Sequence, residues 1–244
     1  MKNCRVLDVT FDNIRMEEAL DRAEVLLEGE KASYVVTPNT EIVWRSREDP
    51  RLLEAIRGAS LVLPDGIGVV YGAGILGCPI QERVPGIDFM YQILKRTQGK
   101  KVFLLGAKPG VAEKAAERLK TEMPGLIVCG TENGYFTEDA PIVEKVNASG
   151  ADILFVCLGF PKQEYWMHDH ASQLNVKLMA GLGGSLDVFA GLARRAPKGW
   201  QKLGLEWLYR LLEDPKRIKR MIVLPKFMFT VIWERLSGKN RKRG

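Results

Sequence analysis

Short apolar runs alternating with helical stretches predict a Rossmann-like α/β fold: a parallel sheet with helices on both faces, followed by a basic helical appendage. Two observations carry the core of this reading. The apolar runs are mostly continuous rather than alternating in polarity, as strands covered on both faces require. Helical patterns fall between them, with Ala, Glu and Lys at amphipathic spacing. A third observation bounds the class. Of 244 residues, 46% are hydrophobic and 27% charged, a globular composition rather than a disordered or fibrous one.

The strands are expected at Arg5–Val9, Tyr34–Thr37, Leu61–Leu63, Lys101–Leu105, Leu126–Cys129, Ile153–Leu158 and Val176–Ala180. Met16–Leu27, Val111–Lys120 and Pro141–Ala148 are the clearest helical stretches, and Gly68–Leu76 follows a glycine turn as another. The length suits one large domain plus an appendage. We place an α/β core at 1–194 and a helical, membrane-associating segment at 195–244.

That division rests on charge and pattern. The net charge of +6 conceals 15 Lys/Arg against 4 Asp/Glu from Arg194 onward, leaving 21 against 26 in the preceding body. Leu205, Leu208, Leu211 and Leu212 recur at helical spacing, and Asp214-Pro215 has the pattern of a helix N-cap followed by proline. Ile218, Met221 and Ile222 then oppose Lys216, Arg217, Lys219 and Arg220. Pro225 is expected to break this helix before Phe227–Leu236, and the chain closes on the basic run Lys239–Arg243. Such a segment seeks phosphates, whether on lipid, nucleic acid or nucleotide.

Cys4, Cys78, Cys129 and Cys157 form no C-x-x-C pair, which predicts buried thiols in a reducing compartment. Asp8 and Asp12 stand where an export signal needs an apolar core. The late apolar stretch Met221–Trp233, interrupted by Pro225 and Lys226, falls short of the ~20 residues of a membrane span.

In an open parallel sheet, ligands bind beyond the carboxyl ends of the strands. Four sequence segments fall there. Thr37-Pro38-Asn39-Thr40 offers hydroxyl and amide groups, with an ordinary helix cap by Asn39 or Thr40 as the plainer alternative. Pro64-Asp65-Gly66-Ile67-Gly68 ends a strand in a carboxylate, suited to a general base or to a helix cap. Gly106, in Leu105-Gly106-Ala107-Lys108-Pro109-Gly110, opens a glycine turn whose amides suit a diphosphate, although it matches neither the dinucleotide nor the phosphate-loop fingerprint. Gln163 and Glu164, in Gly159-Phe160-Pro161-Lys162-Gln163-Glu164, suit sugar hydroxyls, a uracil edge or simply a helix start. His168 and His170 are expected at the surface, on different helix faces. There is no Asp-x-Asp, so a diphosphate here would be neutralised by Arg, Lys and backbone amides rather than by a carboxylate-held metal. Arg83 and the later arginines are the candidates.

Taken together, these motifs resemble the WecG/TagA/CpsF family of bacterial glycosyltransferases. The matching stretches are Thr37-Pro-Asn39, Pro64-Asp65-Gly-Ile-Gly68, Arg83-Val-Pro-Gly-Ile-Asp88, Gly159-Phe-Pro-Lys-Gln163-Glu, Gly181-Leu-Gly-Gly-Ser-Leu-Asp187 and Arg195-Ala-Pro-Lys-Gly-Trp200. Leu205-Glu-Trp-Leu-Tyr-Arg210 and Pro215-Lys-Arg217-Ile-Lys-Arg220 complete the series, so the resemblance spans nearly the whole chain in order. It is closest to the TagA branch, whose members start wall teichoic acid linkage units.

The resemblance implies an inverting transfer of N-acetylmannosamine from its UDP-sugar to the 4-hydroxyl of undecaprenyl-diphosphate N-acetylglucosamine, without metal or other cofactor. It implies Asp65 as general base and Arg83 as a phosphate contact. Thr37, Asn39 and Gln163 would line the sugar or acceptor pocket, and Arg210, Arg217 and Arg220 would close over UDP. A cytoplasmic enzyme held at the inner face of the cell membrane by anionic lipid follows, and homo-oligomers stay open. Relatives differ in donor, so glucose or N-acetylmannosaminuronic acid is the alternative sugar. A non-enzymatic RNA- or nucleotide-binding module is the rival of another class, weakened by missing base-stacking aromatics. A nicotinamide enzyme lacks its glycine fingerprint after the first strand.

Overall fold

The computed structural model describes residues 3–215 and 218–238, and the side chains of residues 219 and 220 fall outside that description. Its elements run β1 (Cys4–Val6), β2 (Val9–Phe11), α1 (Met16–Leu27), β3 (Ser33–Val36), α2 (Thr40–Ser46), α3 (Pro50–Arg57), β4 (Leu61–Val62) and α4 (Ile67–Leu76). Next come α5 (Gly86–Arg96), β5 (Lys101–Gly106), α6 (Val111–Glu122), β6 (Ile127–Glu132), α7 (Ala140–Ala148), β7 (Ile153–Cys157) and α8 (Lys162–His170). The chain continues through β8 (Leu178–Gly181), α9 (Ser185–Phe189), α10 (Lys198–Lys202), α11 (Glu206–Glu213), α12 (Ile218–Met221) and α13 (Val223–Leu236).

Six strands form one parallel sheet in the order β4-β3-β8-β7-β5-β6. Its central strands are apolar on both faces because both are covered. Tyr34, Val36, Phe103, Leu105, Leu154, Val156 and Met179 join one buried cluster, while Val35, Val102, Leu104, Ile153, Phe155, Leu178 and Ala180 join the other. The side chains therefore alternate with the strand period although the residue types do not. The predicted fold class is the observed one.

One predicted strand is different in kind. Arg5–Val9 does not enter the parallel sheet but spans the turn of an antiparallel hairpin, β1 with β2, whose register pairs Cys4 with Phe11. Leu7 at φ 56° makes the reversal. The hairpin ends in Asp12, which exchanges bonds with edge strand β4: its amide donates to the Val62 carbonyl (3.0 Å), and its carboxylate accepts from the Val62 amide (2.9 Å). An apolar run of this length reads alike in either role, because periodicity carries no partner information.

The histidines are also less exposed than expected. His168 Nδ1 lies 3.1 Å from the Tyr34 hydroxyl, and His170 Nε2 lies 3.2 Å from Asp139.

The C-terminal helix α13 packs on α4 and α2. Phe227 and Val231 are fully buried, and Gly72 makes room for them: a Cβ there would meet the Phe227 ring at 2.9 Å. Pro225 does not sit within the preceding helix. That helix stops at Met221, and Pro225 occupies the first turn of α13, where an amide hydrogen has no helical acceptor to lose. The neighbouring faces of α13 carry Phe229, Ile232, Trp233 and Leu236 outward, 44–79% exposed.

This docking gives a direct test. Phe227→Ala should destabilise the full chain by about 3–5 kcal/mol, as loss of a buried ring does, while Phe229→Ala should change stability by less than ~0.5 kcal/mol. Urea denaturation of the two variants checks it, and equal effects would mean that α13 is not anchored through Phe227.

Candidate active site

The loops after β3, β4 and β8 meet at one corner of the sheet's carboxyl edge. Glycines allow the approach. A Cβ on Gly66 would lie 3.1 Å from that of Asn39, and one on Gly68 would meet the Thr40 hydroxyl at 2.4 Å. Gly86 opens α5 against Thr37 in the same manner, 3.0 Å from its hydroxyl. Larger residues at these positions would force the three loops apart.

Asp65 follows β4 directly. Helix α4 is capped by the backbone of Gly66, with no side-chain cap bond, so Asp65 is not a helix cap. Its carboxylate instead faces Arg83. The guanidinium donates from Nε to the Asp65 carbonyl, from Nη2 to Glu206 (2.8 Å), and lies 3.4 Å from the Asp65 carboxylate. Glu206 opens α11 and is almost fully buried; its other oxygen accepts from Arg210 one turn on, at 2.5 Å. One carboxylate thus ties together two arginines from distant parts of the chain.

Burial pushes the Asp65 carboxyl above its ordinary range, against the pull of Arg83 and Arg210, and the nearby Glu206 charge adds to the rise. Burial would raise Glu206 too, but Arg210 and Arg83 outweigh it and hold that carboxylate below its usual range. The two acids therefore diverge: Asp65 is the more basic, and Glu206 stays ionised. The Asp65 side chain keeps 33% of its surface open, enough for a ligand hydroxyl to reach it.

Thr37 is buried and donates to the Gly181 carbonyl at the end of β8 (3.2 Å). Asn39 does cap α2: its oxygen accepts from the amides of Glu41 and Ile42 at 2.9 and 3.1 Å, which leaves its –NH2 end as the group for a ligand. Gln163 is buried and braced, accepting from the Gly183 amide and donating to Glu164, each at 2.9 Å. These residues and Asp65, Arg83 and Arg210 form one neighbourhood along β4, β3 and β8.

Gly106 stands apart. At φ 131° it presses against the Cys157 carbonyl at the end of β7, a position that no side chain could share. Between β4 and β5 lie β3, β8 and β7, so Gly106 is four strand spacings, or about 19 Å, from the Asp65 corner. Arg217 lies outside the described residues, as does the basic run 239–243, and nothing is described of the Arg220 side chain.

Sequence reasoning offers Glu164 for hydrogen bonds to a ligand or for a helix start, whereas the structure buries it, and it assigns no role to Glu206 or to the pairing of Arg195 with Asp88 (2.5 and 2.6 Å, two parallel bonds). The i, i+4 spacing of Glu206 and Arg210 was a usable signal. No spacing announces the other pair, whose members are 107 positions apart. Among the described residues, no three His, Cys, Asp or Glu side chains stand together as metal ligands, and no helix is long and apolar enough to cross a membrane.

A basic carboxylate beside two guanidinium groups, at the carboxyl edge of a parallel sheet, can take a proton from a hydroxyl and steady an anionic group, chemistry that suits a transferase. Comparison with known proteins makes the class specific. Residues 4–241 match the family described as the glycosyl transferase WecG/TagA/CpsF family. A protein of Bacillus spizizenii is 38% identical over 221 residues, covering 89% of this chain and 86% of its own length. One of Staphylococcus aureus is 39% identical over 230 residues, covering 93% and 91%. Both are named N-acetylglucosaminyldiphosphoundecaprenol N-acetyl-beta-D-mannosaminyltransferase. The chain belongs to the WecG/TagA/CpsF glycosyltransferase family.

Glu164 gives a prediction about the ground under this site. Burial raises its carboxyl to about 7, only partly opposed by the Gln163 bond, and its second oxygen has no partner. Between the unfolded value near 4.5 and about 7, the unfolded chain has lost a proton that the folded chain keeps, so this group lowers stability as pH rises through that window. Glu164→Gln removes the effect. The melting temperature of the variant relative to the parent should therefore climb from pH 4.5 to pH 7.5; a constant difference would contradict the buried protonated acid.

Proposed function

We propose that this protein transfers N-acetylmannosamine from UDP-N-acetylmannosamine to the 4-hydroxyl of undecaprenyl-diphosphate N-acetylglucosamine, forming the linkage unit of wall teichoic acid. The observation that carries the reading is the Asp65–Arg83–Glu206–Arg210 network, in a chain whose relatives are named for that sugar and that acceptor.

The chemistry is a single displacement. Asp65 takes the proton of the acceptor hydroxyl as its oxygen forms the new bond to the anomeric carbon. The bond from that carbon to the diphosphate oxygen breaks, inversion results, and UDP leaves as an anion. Arg83 and Arg210 meet the charge that grows on it, a contribution typically worth 10²–10³ in rate, roughly, for one such donor. Thr37, the free end of Asn39 and Gln163 contact the sugars. Arg217 and Arg220 add cations to the UDP side, and Gly106 serves the nucleotide end across the sheet.

The acceptor's lipid anchor places the reaction at a membrane surface. The exposed Phe229, Ile232, Trp233 and Leu236, with Lys226 and Arg235 on the same helix, support docking there by residues 195–244. Apolar insertion and attraction to anionic headgroups add in such a segment, at about 1 kcal/mol per basic residue. We read 1–194 as the catalytic body and the remainder as its interfacial part.

The test offers several UDP-sugars with a short-chain lipid-diphosphate N-acetylglucosamine and follows UDP release. N-acetylmannosamine should be the preferred donor, and Asp65→Asn should slow turnover by about 10²–10⁴. Since Asp65 acts deprotonated and its carboxyl is raised, kcat/KM should rise with pH across a limb above the ordinary carboxylate range. Silence with every donor would remove the function; full activity of the Asp65→Asn protein would remove only the base.

A further inference from the structure

Arg83 is asked to do two incompatible things. A guanidinium keeps its charge at any accessible pH and seeks carboxylates in two-bonded geometry. Asp65, 3.4 Å away, is such a carboxylate, and a full pairing would occupy the base and the phosphate contact with each other. The structure holds a different arrangement. The Nη2 nitrogen is shared, donating to Glu206 at 2.8 Å and only at 3.4 Å to the Asp65 carboxylate, while Nε donates to the backbone carbonyl of residue 65 rather than to its side chain.

We propose that Glu206 is a positioning residue for the transfer: its carboxylate holds Arg83 away from full pairing with Asp65 and sets Arg210 beside it. The inference rests on the reading of Asp65 as base and Arg83 as phosphate contact. Three further observations support it. Glu206 is buried, with a side chain only 8% exposed, so its bonds are little screened by water. Both of its oxygens are engaged, one by each arginine, so the carboxylate cannot turn without loosening its hold on both. And Glu206 shares helix α11 with Arg210, so it links the segment after 195 to the catalytic body by charge.

The groups facing Asp65 make the consequence readable. They are Arg83 ahead of α5, Glu206 and Arg210 on α11, and Arg195 between α9 and α10. The Glu206 charge raises the Asp65 carboxyl and the arginines lower it. Removing the Glu206 charge takes away the raising influence and frees Arg83 to pair with Asp65, so both effects act in the same direction.

The experiment compares Glu206→Gln, Glu206→Asp and Asp65→Asn in the full chain, using UDP-sugar and short-chain acceptor across pH. Glu206→Gln should raise the donor KM and lower kcat/KM by about 10- to 100-fold, the cost of misplacing a contact group. It should also move the acid limb of kcat/KM to lower pH. Glu206→Asp, which keeps the charge but shortens the reach, should lose rate while holding the limb near its parent position. Glu213→Gln, on the same helix and clear of the network, should match the parent. A Glu206→Gln protein with parental donor KM and parental limb would overturn the proposal, and so would one that loses rate and melting temperature together with the limb unmoved. Failure of the base reading shows separately, as an acid limb that persists in Asp65→Asn, and the donor KM of Glu206→Gln reads the positioning role in either case.

Discussion

The site is organised by a cation that cannot be neutralised. Arg83 must have anionic partners wherever it is, and in this fold its side chain is only 20% exposed and reaches both Asp65 and Glu206. Both carboxylates pair with it, while burial raises Asp65 and Arg210 joins Arg83 in holding Glu206 down. Glu206, doubly paired, stays ionised in a buried position. Asp65, given only part of the guanidinium, keeps a raised carboxyl and an open flank. Divergent acidities in neighbouring acids are how one pocket holds both a proton acceptor and a fixed charge. The arrangement needs three segments, at residues 65, 83 and 206–210, brought within a few ångströms, and the rest of the structure serves that meeting.

The sheet supplies the first segment, after β4, the loop between α4 and α5 supplies the second, and the glycines let the loops close on each other. The approaches at Gly66, Gly68 and Gly86 are close enough that a side chain at any of them would have to displace its neighbours, so the loops after β3 and β4 and the start of α5 form one packed unit. The third segment is placed by the C-terminal part of the chain, which is anchored twice. Arg195 clasps Asp88 with two parallel bonds before α11, and α13 seats Phe227 and Val231 against α4 after it. Helix α11 lies between these anchors, with Glu206 inward and Leu212 outward. The same segment thus offers an inner face to the catalytic corner and an outer apolar face to the surroundings.

The fold class was legible because apolar runs and amphipathic helices leave periodic traces in one dimension. The hairpin at β1 and β2 was not, since Arg5–Val9 is apolar enough for either a sheet strand or a ribbon and only tertiary pairing decides. Asp65 was legible as a carboxylate at a strand end, with base and cap equally open, and the cap was excluded only when the backbone of Gly66 was seen to start α4. Asn39 ran the other way, since its capping bonds are local and its spacing encoded them. Arg83 and the later arginines are legible as candidate phosphate contacts, and family resemblance singles out Arg210 among the latter, but neither signal gives a residue its partner. Glu206 stood inside a quoted motif with no role attached, because what it does depends on Arg83, 123 positions earlier. The division of duties between two cations and two acids exists only in three dimensions.

The proposed chemistry depends on where the diphosphate sits. A crystal structure of the full chain with UDP bound tests this most directly. Diphosphate oxygens are expected within hydrogen-bond distance of the Arg83 guanidinium, with the Asp65 carboxylate left open on the opposite side of the vacant sugar position and Glu206 still in contact with Arg83 or Arg210. UDP seated with its diphosphate away from Arg83, and Arg83 fully paired with Asp65, would contradict it.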